Sequence, residues 1–110
     1  MTVTVKTLIA AKDAEAVQTT QYTATNCRAI IDKFTATNTT AGALTLSVNL
    51  VTLAGTAGAT NLIVKLKSIA AGETYSFPEV VGHVLDAGGF ISTVASATGM
   101  TIRSAGREVT

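Results

Sequence analysis

His83 is the only histidine and Cys27 the only cysteine of the chain, so imidazole and thiol chemistry rests on two residues 56 positions apart. A zinc site takes four ligands drawn largely from these two residue types, and no Cys-x-x-Cys pair compensates for the missing imidazoles. A Ser-His-Asp arrangement has all its residue types but no Gly-x-Ser-x-Gly elbow to present the serine, which leaves His83 as a packing or interface residue. Cys27 adjoins Arg28, yet neighbours in a strand point to opposite faces, and an unassisted thiol reads as buried and inert. Asp13, Glu15, Asp32, Glu73, Glu79, Asp86 and Glu108 are scattered near turns and termini, without the close repeated spacing of a calcium loop. Gly82 and Gly88-Gly89 do not match a phosphate-binding loop and are better explained as turns. These residues give no catalytic, cofactor or metal site, and the chain is expected not to be an enzyme.

What remains is contact chemistry. Arg103 and Arg107 stand beside Glu108 near the C-terminus, where arginine suits both carboxylate pairing and protein interfaces. Thr2, Thr4 and Lys6 lie on an alternating N-terminal segment that either closes its own sheet or extends onto a neighbour. These five are the candidate interface residues. Asn38-Thr39-Thr40 matches the glycosylation triplet but sits in turn chemistry with no export signal beside it, and no function is assigned to it.

The elements that position these residues read as strands. Met1 to Ala10 alternates and is followed by the charged connector Lys12 to Glu15; residues 1–12 are thus an N-terminal arm, closed or exchanged. Gln18 to Thr25 is a polar strand. Cys27 to Thr37 is a stronger one, in which adjacent Ile30 and Ile31 demand cover on both faces or a bulge. After the turn from Asn38 to Gly42, Leu44, Leu46, Val48 and Leu50 alternate with polar residues in the clearest strand of the chain. Past the small-residue loop Gly55 to Asn61, Leu62, Val64 and Leu66 alternate with Ile63, Lys65 and Lys67, the lysines marking the wet face. Thr74 to Phe77 is brief and ends at Pro78, where Val80, Val81, Val84 and Leu85 at helical spacing predict a short helix near residues 78–86. Phe90 to Ala95, Met100 to Arg103 and Arg107 to Val109 complete the strands, divided by Ser96 to Gly99 and by Gly106. Strands about every 10 residues predict an all-β domain spanning residues 1–110, a β-sandwich or jelly roll of short antiparallel strands with one short helix.

Composition agrees. The chain has 110 residues, 47% of them apolar, with no tryptophan, and about a third are Thr or Ala, so its core is built mostly from small branched side chains. Only 14% are charged and the net charge is +1, which gives no field for a nucleic-acid backbone and a surface that tolerates close packing against copies of itself. The longest apolar stretches fall far short of the roughly 20 residues of a membrane-spanning helix, and the N-terminus lacks the pattern of a signal peptide. Synthesis in a reducing cytoplasm, without membrane, nucleic-acid or small-molecule partners, is the expectation.

The stretches Ser68-Ile-Ala-Ala-Gly-Glu-Thr-Tyr75, Pro78-Glu-Val-Val-Gly-His-Val-Leu-Asp-Ala-Gly-Gly-Phe-Ile-Ser92, Ala95-Ser-Ala97 and Ser104-Ala-Gly-Arg-Glu-Val109 resemble small virion proteins of tailed bacteriophages. Upstream, Phe34 to Ala41 followed by Leu44 to Val51 resembles the strand, Thr/Asn-rich turn and strand of the same proteins, and the segments together span about two-thirds of the chain. The resemblance implies a capsid decoration, or cement, protein: a homotrimer that binds the major capsid protein on the outside of the head and reinforces it. It carries over no residue-level motif. Neck, tail or fibre-associated proteins, and carbohydrate-binding or host-receptor modules, share this strand-and-turn pattern; the absence of tryptophan counts against a sugar platform.

Overall fold

A computed structural model describes all of residues 1–110. Nine strands form: β1 (Val3–Asp13), β2 (Thr19–Thr23), β3 (Arg28–Asn38), β4 (Leu44–Val51), β5 (Leu62–Ile69), β6 (Thr74–Ser76), β7 (Val84–Leu85), β8 (Phe90–Ala95) and β9 (Met100–Val109), with one 3₁₀ turn at Ala59–Asn61. They make two antiparallel sheets. The first has the order β1-β9-β3-β6, with β7 also on β3, and the second the order β2-β8-β4-β5. First pairs with last, second with next to last, and β4 with β5 at the tip, as if one long hairpin had been wound around itself. This is the jelly-roll pattern.

Between the sheets, Phe34, Phe77, Ile31, Leu46, Ile69, Ile91, Met100 and Ile102 are fully buried. Phe34 and Phe77 meet edge to face with ring centroids 5.2 Å apart, and Tyr75 packs on Phe77 at 4.8 Å. Each such buried side chain contributes roughly 1.5–3 kcal/mol of hydrophobic stabilisation. Cys27 is buried, with its sulfur 4.0 Å from the Tyr22 hydroxyl.

Several local expectations change. Val80 and Val81 both donate N–H to the Phe77 carbonyl, so one helical turn begins after Pro78, but Gly82 adopts φ +91° and ends it. Gly82 then donates to the Ile31 carbonyl and Ile31 to that of His83, drawing the chain onto β3 as β7 where a helix near residues 78–86 was expected. The backbone of β3 wins because its own partner strand β6 ends at Ser76, leaving donors and acceptors to satisfy. The adjacent isoleucines resolve as a bulge between Ile31 and Lys33: Ile31 enters the core and Ile30 turns outward. In β5 the register slips between Val64 and Lys67, Leu66 sits at φ +51° and donates its N–H to Ser47 Oγ, and its side chain is exposed instead of inward. Gly106 does not divide the last strand. It lies within β9 where the Ile30 carbonyl comes too close to leave room for a Cβ.

Candidate interaction surface

The outward face of the first sheet follows from register. Directly paired residues of antiparallel strands share a face, so Val5, Arg107 and Ile30 form one row across β1, β9 and β3, and β7 continues it with Val84 opposite Ile30. Val3, Val109 and Arg28 form the next row. The core side of β9 is taken by Met100, Ile102 and Ser104, which leaves Thr101, Arg103, Ala105, Arg107 and Val109 facing out. Val5 is 83% exposed, Val84 53% and Val3 52%, an aliphatic strip on a sheet otherwise polar outside.

Two charge pairs cross this strip. Arg107 makes a bidentate contact with Asp32, Nε to Oδ2 and Nη2 to Oδ1, both at 2.9 Å. The paired guanidinium holds the Asp32 carboxyl below its ordinary value, and the carboxylate raises Arg107 in turn. Arg28 Nε lies 3.7 Å from Asp86, a looser and well exposed pair. The strip is therefore apolar contact area whose two flanking cations, Arg107 and Arg28, are already matched, which lowers the cost of covering it. Arg103 stands on the same face with no carboxylate partner.

Of the five candidate interface residues, only Arg103 and Arg107 lie on this face. Thr4 and Lys6 point to the other side of β1, and Thr2 is paired through its backbone with Thr110, each donating to the other at 2.9 Å. Lys6 Nζ is 3.3 Å from Glu108, whose other oxygen accepts the Tyr22 hydroxyl. The Tyr22 hydrogen bond first, and Lys6 after it, hold the Glu108 carboxyl below its usual range, while burial and Glu108 push the Tyr22 phenol far up. Val3, Val5, Ile30, Val84 and Asp32 were not among the candidates. The alternation of Val3 and Val5 was visible, but not which side of the strand would be covered.

The other concave regions offer less chemistry. His83 is exposed on the rim of a cleft of about 220 Å³ lined by Leu50, Ile63, Leu85 and Asp86, where one carboxylate stands near it rather than several. On the second sheet a groove of about 270 Å³ has Gln18, Ser47 and Asn49 on its floor. Their hydrogen bonds are spent internally: Gln18 Nε2 donates to Ser92 Oγ at 2.7 Å, and Asn49 Nδ2 to Asn61 Oδ1 at 2.7 Å and Gly58 carbonyl at 3.0 Å, pinning the loop before β5. Nowhere do three His, Cys, Asp or Glu side chains converge in a group able to hold a metal.

No protein-family model matches the chain, and no curated protein matches it. A chain in the solved structure of infectious bursal disease virus, Gx strain, has a similar fold, with a TM-score of 0.51 at 18% identity. The match covers 97% of this chain and 30% of the viral one, so the protein described here spans less than a third of that chain's length.

Proposed function

We propose that the protein is a structural subunit of a virus particle, and more narrowly a decoration protein that binds the major capsid protein on the outside of a tailed-phage head, as a homotrimer and without catalysis. The observation that carries the reading is the outward strip of exposed Val3, Val5 and Val84 and half-buried Ile30, flanked by the internally matched pair Arg107 and Asp32. A cement protein has to bury area at many equivalent sites without chemistry, and an apolar strip with neutralised charges suits that task. Jelly rolls also serve as lectins and enzymes, so the fold alone does not select a role. The likeness over nearly the whole chain to part of a viral chain, and the resemblance of its turns to phage virion proteins, support the virion reading.

The test is co-sedimentation with expanded heads of the phage that encodes it, comparing the unmodified protein with Val84→Asp and Arg103→Glu. Both positions are exposed, so folding should be retained, as circular dichroism would verify. Saturable binding that falls at least tenfold in Val84→Asp is the expected result. Binding to tails or host cells but not to heads would replace decoration with a neck, tail or receptor-binding role.

A further inference from the structure

We propose that the free edge of β1 joins two copies of this chain in an antiparallel, two-fold pairing centred on Val5. Thr2 and Thr110 exchange both backbone hydrogen bonds, and the register runs without a shift from Val3↔Val109 to Thr7↔Ala105. The alternation of an antiparallel ladder then commits the N–H and C=O groups of Thr4 and Lys6 to β9 and turns those of Val3, Val5 and Thr7 to the open side. That edge carries a continuous row of unpaired donors and acceptors.

The remaining sheet edges are protected and this one is not. β6 and β7 have three and two residues. β2 has five residues and a shift between Thr20 and Tyr22, and β5 carries Lys65, Lys67, two register shifts and the positive φ of Leu66. Short length, bulges and edge lysines are the devices that block strand addition. In β1 both bulges fall after Thr7, which leaves five regular residues with exposed Val3 and Val5 and a single lysine.

The occupant is a second copy because the edge is complementary to itself. With Val5 opposite Val5 of the partner copy, Val3 meets Thr7 and Thr4 meets Lys6, and the free backbone groups of Val3, Val5 and Thr7 face each other in register. On the outward face the two valine strips become continuous, bounded by Arg107, which Asp32 neutralises. On the opposite face the row across four strands reads Glu108, Thr4, Lys6, Gly106, so no like charges are directly opposed and each lysine is placed between its own and the partner copy's Glu108. The product is one continuous sheet through both molecules, with an isologous contact that closes on itself. The contact needs nothing from a capsid: it joins two single chains, or two of the homotrimers proposed above along a common threefold axis, and doubles the mass in either case.

The experiment is native mass by light scattering over micromolar to submillimolar concentration, for the unmodified protein, Val5→Lys and Val5→Pro. Val5→Lys sets two lysines against each other at the two-fold axis. Val5→Pro removes a donor that β9 does not use and is compatible with an edge strand. The expected result is that both variants keep their far-ultraviolet spectrum and have half the mass of the unmodified protein at the same concentration. In the unmodified protein alone, amide exchange at Val3, Val5 and Thr7 should slow as concentration rises. Equal masses for the three proteins, or amides at those positions that exchange freely at every concentration, would overturn the proposal. Should both variants unfold, the amide-exchange result on the unmodified protein decides it.

Discussion

Tyr22 and Glu108 show how much one contact between residues 86 positions apart can set. The buried phenol donates to a carboxylate that Lys6 also faces, and neither neighbour is close in sequence. The Glu108 carboxyl is held below its ordinary 4.5, so its contribution to stability is fully present above that value and is lost as pH falls through the lower folded value. Tyr22→Phe should move Glu108 back up toward 4.5, readable in a carbon-detected NMR titration, and should flatten the loss of thermal stability between pH 4.5 and the lower folded value. Lys6→Met should shift Glu108 less, because the Tyr22 hydrogen bond is the larger cause. Asn38 belongs to the same scale. Fully buried, it donates to the carbonyls of Gly42 and Ile69 and accepts from Thr40, so the residue that looked like a glycosylation acceptor is the peg that fixes the turn from β3 to β4 against β5.

Among the elements, β3, β4 and β8 were legible because alternation, β-branched residues and turn residues all agree there. The segment after Pro78 was not, because helical periodicity in Val80, Val81, Val84 and Leu85 competes with the unsatisfied backbone of β3, and the long-range partner prevails. Leu66 was misplaced for a related reason: a one-residue slip reverses the faces of a strand, and the slip is set by Ser47 on the neighbouring strand. Gly106 looked like a break between strands and is instead a position within β9 where the Ile30 carbonyl of β3 leaves no room for a Cβ. Gly106→Ala should force its methyl group against the Ile30 carbonyl and lower stability by about 1–3 kcal/mol, at the upper end because the obstacle is backbone. A thermal melt showing no loss would mean that the bulge after Ile31 can absorb the shift.

For the molecule as a whole, winding sets the physics. The pairings of β1 with β9 and of β2 with β8 join opposite ends of the chain, so loop closure precedes most of the stabilising contacts. Refolding monitored by stopped flow should accordingly fall in the millisecond-to-second range of β-sandwiches rather than the microseconds of helical bundles. The structure also shows why residues 1–12 are more than an appendage: Leu8 and Ile9 are buried, and the strand continues through Asp13, past the point where a charged connector was expected to begin.

The sequence by itself determined an all-β chain with a mainly aliphatic core, the turns at Asn38–Gly42 and Ala70–Glu73, and too few histidines and cysteines for a zinc site, because these depend on local alternation, side-chain shape and residue counts. Only the tertiary structure decided which face of β1 is bare, that Arg107 meets Asp32 while Lys6 meets Glu108, and that β7 replaces a helix. Period-two alternation divides a strand into two faces without saying which is covered. That choice is made by the pairing of strands far apart in the chain, and with it the location of the exposed valines and of the unprotected edge.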